Sequence, residues 1–445
     1  ANGGFPFLIL YLALALCCGV IIMLGELALG RKTGHGAVGA YQSISKRFKW
    51  LGWLGIAAAA LIFSFYSALG GYCLRYVVVN FGNLIGAEFG TNGVGGADVF
   101  QGLLSQPDVS IAFALAFMLI TMLVVMSGVG GGIERVCSVG MPALFFILII
   151  CIIRSCTLPG AADGLKYMFV PGWAVANGII DEAPGFWRVL TAAGGQMFFS
   201  LSLGAGVMIT YGSYLDKKQD LGKSAMIIVG MDTVVALMAG LCVIPGRFAL
   251  DPNGALGGPE LLFITMQNVF DKMGPAGPVF GILFYLLVFF AAISSSISML
   301  EVIVAHFCDK AREKGKGDRR KLYSAIAVVI SAALCALVCA DGMGSNHISP
   351  AELLGLAGAK LPGWSTSWLG LFDSVAEGLL MPLGALLMCL MISWELKPDA
   401  LRQEILLNGE NRPWVYDFFR LCVKYITPLC MLMILYGQIS DFFIA

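Results

Sequence analysis

The sequence predicts an all-α fold that crosses a lipid bilayer about ten times, and three observations predict it. The 445 residues are 58% hydrophobic and only 13% charged, with 28 basic and 28 acidic side chains and no net charge. A soluble chain of that size has nowhere to hide so much apolar surface, so the lipid bilayer is one of its partners. Apolar runs of spanning length fall near residues 5–30, 52–82, 110–127, 134–156, 189–214, 224–246, 277–307, 322–340, 370–394 and 415–440. The connections near 31–50, 128–136, 215–223, 308–321 and 395–424 hold 5, 1, 3, 7 and 5 Lys or Arg, which is 21 of the 28. The other seven (Arg75, Arg154, Lys166, Arg188, Arg247, Lys272 and Lys360) fall on the opposite side or in outer span ends. Positive charge concentrated on alternate loops marks those loops as cytoplasmic. The expected organisation is a single transmembrane domain over 1–445, multi-pass in a cell (inner) membrane. Ten spans would start the chain outside, so a helix upstream of residue 1 is expected.

The first span ends in Glu26-Leu27-Ala28-Leu29-Gly30-Arg31. The following Gly34-His35-Gly36-Ala37-Val38-Gly39 fits GxGxxG, but it follows a membrane helix and opens no βαβ unit, which excludes a dinucleotide site. Residues 83–108 and 157–188 are long outer loops rich in Gly, Asp and Asn. The span 189–214 carries Gly195-Gln196-Met197-Phe198-Phe199-Ser200-Leu201-Ser202-Leu203-Gly204-Ala205-Gly206 at its middle. Hydroxyls and glycines packed that densely suit a helix whose backbone opens near 200–206, and open backbone at membrane depth survives only where it lines a cavity or a ligand. Small-residue helix packing is the alternative. Residues 247–276 contain Gly257-Gly258-Pro259-Glu260 and then the amphipathic Leu261–Phe270, a short helix expected to fold over the outer mouth.

Ionisable groups inside spans are functional candidates because each costs a few kcal/mol to place there. Asp232 lies in Ile228-Val229-Gly230-Met231-Asp232-Thr233-Val234 with no basic neighbour in its own helix, so a bound cation is its natural partner. A hydrogen-bonded structural role near a membrane boundary is the alternative. Glu26 and Glu301 are placed to accept bonds from backbone freed by a broken helix, and Asp373 with Glu377 forms a further acidic pair. Within Phe289–Met299, Ser294, Ser295 and Ser298 sit above Ala291. Hydroxyls and a free carbonyl are hard oxygen donors for a small cation, although serines in membrane helices also back-bond to their own backbone.

Other chemistry is excluded. There is no basic stripe with interleaved aromatics, so no nucleic-acid partner is expected. Cys17, Cys18, Cys73, Cys151, Cys242, Cys335, Cys339, Cys389 and Cys430 lie in apolar runs and read as small buried hydrophobes rather than disulfides. His35, His306 and His347 are scattered, and no CxxC, HExxH, GxSxG or P-loop occurs, so neither a transition-metal site nor an enzyme is expected.

Read together, these stretches resemble the neurotransmitter:sodium symporter family, whose members share the leucine-transporter fold with its inverted repeat. The resemblance rests on Asn2-Gly3-Gly4, Glu26 to Arg31, Gly34-His35-Gly36, Phe65-Tyr66, Gln196 to Gly206 with Tyr211 and Tyr214, Asp232, and Ser294 to Met299. It covers essentially the whole chain in order and implies family helices two to eleven of the eleven-helix bacterial type, without the first. That first helix supplies part of both sodium sites and of both gates in the family.

The resemblance implies site residues position by position. Ile62, Tyr66, Phe199, Ser200, Ser202, Ala205, Gly206, Ser295 and Met299 would bind substrate, with the Tyr66 hydroxyl near its carboxylate and Phe199 as a lid. Ser200 and Asp232 would belong to one sodium site, and Ala291, Ser294 and Ser295 to a second. Gln196 would serve the outer gate, where Ala376 occupies the usual acid position between Asp373 and Glu377; Tyr214 with Asp309 would serve the inner one. Gly132 and Pro142 enclose nine residues, resembling a motif that lets the cytoplasmic end of its helix unwind. Asp232 stands where chloride-dependent members carry Asn. Its fixed charge, beside Tyr11, Gln196 and Ser200, implies chloride independence.

The implied activity is sodium-coupled import of a neutral amino acid by alternating access, with Na+ as the co-transported ion. The preferred side chain would be large and hydrophobic or aromatic, because Ala205 leaves room and no second charged anchor is present. A passive channel and a transport-incompetent binding scaffold are the alternatives.

Overall fold

The computed structural model describes residues 4–91, 93–250, 258–355, 363–396, 398–406 and 413–443. Asn2, Gly3, Gly257, Lys360 and part of the 395–424 connection lie outside the described residues. Among the described residues nine helices are long and apolar enough to span a membrane: α1 (Phe5–Thr33), α2 (Lys46–Ile85), α3 (Pro107–Met126), α4 (Val129–Cys156), α7 (Leu221–Ala249), α8 (Gly274–Glu313), α9 (Arg320–Gly344), α10 (Trp368–Glu395) and α11 (Trp414–Ser440). The tenth expected span exists as two pieces, α5 (Phe186–Leu201) and α6 (Val207–Gly212), each too short to cross alone. The fold class is therefore the expected one, a polytopic all-α fold with one interrupted helix.

α2 and α8 run to 40 residues each, well beyond the apolar cores read from sequence. They pack against each other along their length, and α3 and α9 close on α2 to form one half of the molecule. α1 packs against both α5 and α6, while α7 joins α1 to α4. The α1–α6 crossing is close because each helix presents glycine to the other's backbone. A Cβ on Gly30 would strike Ile209, and one on Gly212 would strike Leu27. Small residues at a crossing let backbones approach where lipid provides no hydrophobic drive between helices.

The helix expected over the outer mouth is present as Gly258–Glu260, Leu261–Thr265 and Met266–Asp271. Its Phe263 is fully buried in an aromatic cluster with Tyr76 of α2 and Tyr285 of α8; the Phe263 and Tyr285 rings stack at 6.1 Å. The segment thus seals the outer ends of α2 and α8. On the basic face, α1 ends on Gly34 in the left-handed conformation, and the GxGxxG stretch joins α1 to the helix Ala37–Ile44. No strand occurs there.

Candidate functional site

The helical ladder of α5 stops at Ser202, which adopts a left-handed conformation at φ 51°, and Gly204 and Gly206 follow at φ 79° and 76°. A Cβ at Gly204 would also collide with the backbone of Met381 in α10, so glycine is required there for two reasons. Glu26 of α1 caps the opening: its Oε1 accepts from the Gly204 amide at 2.7 Å, and the Met208 amide also bonds this carboxyl. The sequence expectation for Glu26 is met. The amides of Ala205 and Gly206 have no partner among the described residues, so the break presents bare donors. Donors and acceptors freed at mid-membrane can replace the hydration shell of a bound solute.

Asp232 of α7 faces this break. Ser200 donates to Asp232 Oδ2 at 2.6 Å, and the Tyr11 hydroxyl from α1 lies 3.4 Å from both Asp232 Oδ2 and Ser200 Oγ. A carboxylate and hydroxyl oxygens converging with no cationic side chain bonded to them form an oxygen-rich corner suited to a hard cation. Gln196, one turn above Ser200, lines an outer cavity of about 380 Å³ together with Phe7, Tyr11, Ala236 and Gly240.

Tyr66 of α2 meets Phe199 edge-on, with ring centroids 6.1 Å apart, and Ser295 of α8 is within reach of the Tyr66 hydroxyl. Ile62, Ala205 and Met299 are buried within the apolar core that Tyr66 packs against. On α8 the Ser294 hydroxyl donates to the Ala291 carbonyl at 2.9 Å, and Ser298 donates to the Ser294 carbonyl at 3.1 Å. This is the serine back-bonding pattern, and it leaves the hydroxyl oxygens free to accept or to ligate. Ser298 also shares a 2.8 Å bond with the Tyr211 hydroxyl of α6, tying the inner half-helix to α8.

The residues expected at the gates fall in two places. Asp373 and Glu377 lie one turn apart along α10, across a π-helical stretch (Ser374–Leu380), with their carboxyls in mutual contact and Glu377 in the field of Tyr66. Ala376 between them is fully buried. A π-turn inserts a residue into the ladder and re-aims the side chains around it, a feature that clusters at functional sites.

On the basic face Tyr214 and Asp309, both expected at the inner gate, take different partners. Tyr214, in the turn that follows α6, donates to Glu301 Oε1 at 2.6 Å, and Arg320 of α9 grips the same carboxylate with bonds of 2.6 and 2.9 Å. Asp309 instead accepts from the Gly36 amide at 2.9 Å. Glu301 was expected to serve freed backbone, yet it serves an ion pair. The signal was available, since a carboxylate inside one span and an arginine opening the next can meet across a helix hairpin.

Arg31 was missed for another reason. It pairs with Glu404 at 2.7 Å and reaches the Asp216 and Gln219 carbonyls, partners separated from it by 185 to 373 positions. The stretch between Gly132 and Pro142 is wound here: a π-turn (Val129–Ile133) leads into a helix that continues through Pro142.

Comparison with known proteins agrees with this geometry. The profile of the sodium:neurotransmitter symporter family matches residues 1–92 and 97–443. An uncharacterized sodium-dependent transporter, YhdH of Bacillus subtilis (strain 168), is 35% identical over 99% of this chain and 91% of its own length. Another, MJ1319 of Methanocaldococcus jannaschii, is 27% identical over 99% of this chain and 84% of its own. Among solved structures, MhsT in complex with L-phenylalanine superposes with a TM-score of 0.82 at 32% identity, covering 98% of this chain and 92% of that one.

Proposed function

The chain belongs to the sodium:neurotransmitter symporter family and is a sodium-dependent transporter, and from that premise we propose that it imports a neutral amino acid with a large apolar or aromatic side chain, independently of chloride. The observation that carries this reading is the opened backbone at Ser202–Gly206 beside the Ser200–Asp232 pair. Bare amides suit a substrate carboxylate, and the adjoining oxygen cluster suits sodium. Tyr66, Phe199, Ser202, Ala205, Gly206, Ser295, Ile62 and Met299 form the substrate enclosure; all but the hydroxyls and backbone are apolar, which favours a side chain without charge. The solved structure of MhsT with L-phenylalanine supports an aromatic choice.

Ser200 and Asp232 hold one sodium ion in this reading, and the Ala291 carbonyl with Ser294 and Ser295 holds another. Coupling then means that each ion binds the substrate-loaded form better than the empty one. Alternating access moves α1, α5, α6 and α7 against α2, α3, α8 and α9. Gln196, Asp373 and Glu377 act on the outer side, and Tyr214 on the inner side. Asp232 supplies the fixed negative charge that makes chloride unnecessary. The polar groups gather at mid-depth rather than in a continuous file, which speaks against a passive channel.

The test is uptake of radiolabelled L-phenylalanine, L-tryptophan and L-leucine into proteoliposomes with sodium or potassium outside, each with chloride or gluconate. Saturable, sodium-driven uptake that ignores the anion is the expected result. Uptake without saturation, or uptake that collapses in gluconate, overturns the reading.

A further inference from the structure

A groove of about 520 Å³ separates the outer end of α5 from the end of α11, lined by Trp187, Arg188, Thr191, Tyr436, Gly437 and Ser440. The two helices touch where Thr191 sits against Gly437, a position where any Cβ would strike the threonine hydroxyl. Gln438 fastens the crossing by donating to the Thr191 carbonyl at 3.3 Å. Two kinds of wall surround this contact. Trp187 and Tyr436 are 58% and 74% exposed; aromatic rings with one polar end settle at the headgroup level of a bilayer. Arg188 is exposed as well, and neither its guanidinium nor the Ser440 hydroxyl has a partner among the described residues.

An uncommitted guanidinium framed by two interfacial rings and a free hydroxyl complements a phosphodiester with hydrocarbon attached. We propose that this groove is a binding site for one phospholipid with an anionic headgroup, its phosphodiester on Arg188 and Ser440 and its upper chains against Trp187 and Tyr436. The occupant touches α5, the outer half of the interrupted helix, and therefore bears on a segment that has to move for the outer side to open. Binding at this groove does not require the transport reading to hold, because it is measured directly.

Native mass spectrometry of the intact protein, released from vesicles of phosphatidylglycerol and phosphatidylcholine in equal parts, reads the site. One retained phosphatidylglycerol per chain, in preference to phosphatidylcholine, is expected. Arg188→Gln should weaken that retention about tenfold, the scale of one charge-assisted hydrogen bond. Ser440→Trp, which fills the groove and keeps the charge, should weaken it as much. Cooperative thermal melting checks the fold of each variant, and either one suffices if the other fails. Retention equal to that of the unaltered chain overturns the site. So does loss in Arg188→Gln with full retention in Ser440→Trp, which would put the lipid on open surface. Shielding of the site by inorganic phosphate with no lipid retained overturns it too.

Discussion

Tyr214, just past the inner half-helix α6, donates its hydroxyl to Glu301 on α8 at 2.6 Å, the carboxylate that Arg320 also clamps from α9. Glu301 is 1% exposed and Arg320 17%, so the ion pair sits out of water. Arg320 further reaches the Val125 carbonyl at the end of α3 at 3.3 Å. Three helices of one half are thereby fastened together, and Tyr214 is the bond that this cluster extends to the other half.

The two kinds of bond predict two different phenotypes. Tyr214→Phe keeps the ion pair and releases only α6, so a cysteine placed on the inner face should react faster while the melting temperature barely moves. Glu301→Ala strands a buried guanidinium and should cost about 3 kcal/mol in thermal unfolding. Equal effects of the two changes on both measurements would show that the cluster is not divided in this way.

Asp232→Ala should abolish the sodium stimulation of uptake, since it removes the only carboxylate hydrogen-bonded at the Ser200 corner among the described residues. Asp232→Asn keeps the shape and loses the charge. Its uptake should become sensitive to replacing chloride with gluconate. Sodium stimulation surviving in the alanine variant would remove Asp232 from the ion site.

Gly204→Ala forces a Cβ into the Met381 backbone at a left-handed residue. Strain of this kind costs roughly 1–3 kcal/mol, and the amide bonded to Glu26 must shift. Substrate binding by scintillation proximity should fall below detection in protein that still extracts as a monodisperse species. Native-like binding would mean that the opened backbone tolerates a side chain and is not the substrate's seat.

Ala205→Phe fills a fully buried wall of the proposed enclosure. Competition assays should show preference moving from tryptophan and phenylalanine toward alanine and glycine. An unchanged rank order would take Ala205 out of the pocket.

Outside the membrane, Glu352 predicts a pH effect. The bond from His347 at 2.9 Å, with those from Ser349, holds its carboxyl below the usual carboxylate range. A lowered acid adds stability above its unfolded pKa of about 4.3, and that stability is lost as pH falls through the lower folded value. Hydrogen exchange corrected for intrinsic rate should show the Ser349–Leu353 capping box opening in acid. Glu352→Gln should weaken the box at neutral pH and flatten the profile; an unaltered profile would exclude Glu352 as its source.

The elements were legible because a bilayer imposes its thickness on each one separately. Among the described residues nine of the ten apolar runs form spanning helices, the tenth splits into α5 and α6, and the outer amphipathic segment appears where the pattern puts it. The break in the fifth span was legible too, since Ser202, Gly204 and Gly206 announce it locally. Two features ran past their sequence signals. α2 and α8 continue past their apolar runs at both ends, and most of the added residues are exposed, so the hydropathy pattern does not mark where these helices stop. The π-turn under Asp373 and Glu377 was not read from the sequence, although Pro382, which has no N–H to give the ladder, follows it.

Sequence alone determined that this chain lives in lipid, which spans it has and where its backbone opens, because each of those follows from the cost of placing a particular residue at membrane depth; it marked Glu26 and Glu301 as buried acids but not Asp341. Only the tertiary structure decided the partners. Tyr11 meets Asp232 across 221 positions, Arg31 meets Glu404 across 373, and Tyr214 takes Glu301 while Asp309 caps Gly36. A side chain's need for a partner is written in its chemistry, but which partner it finds depends on helix crossings that no single segment encodes.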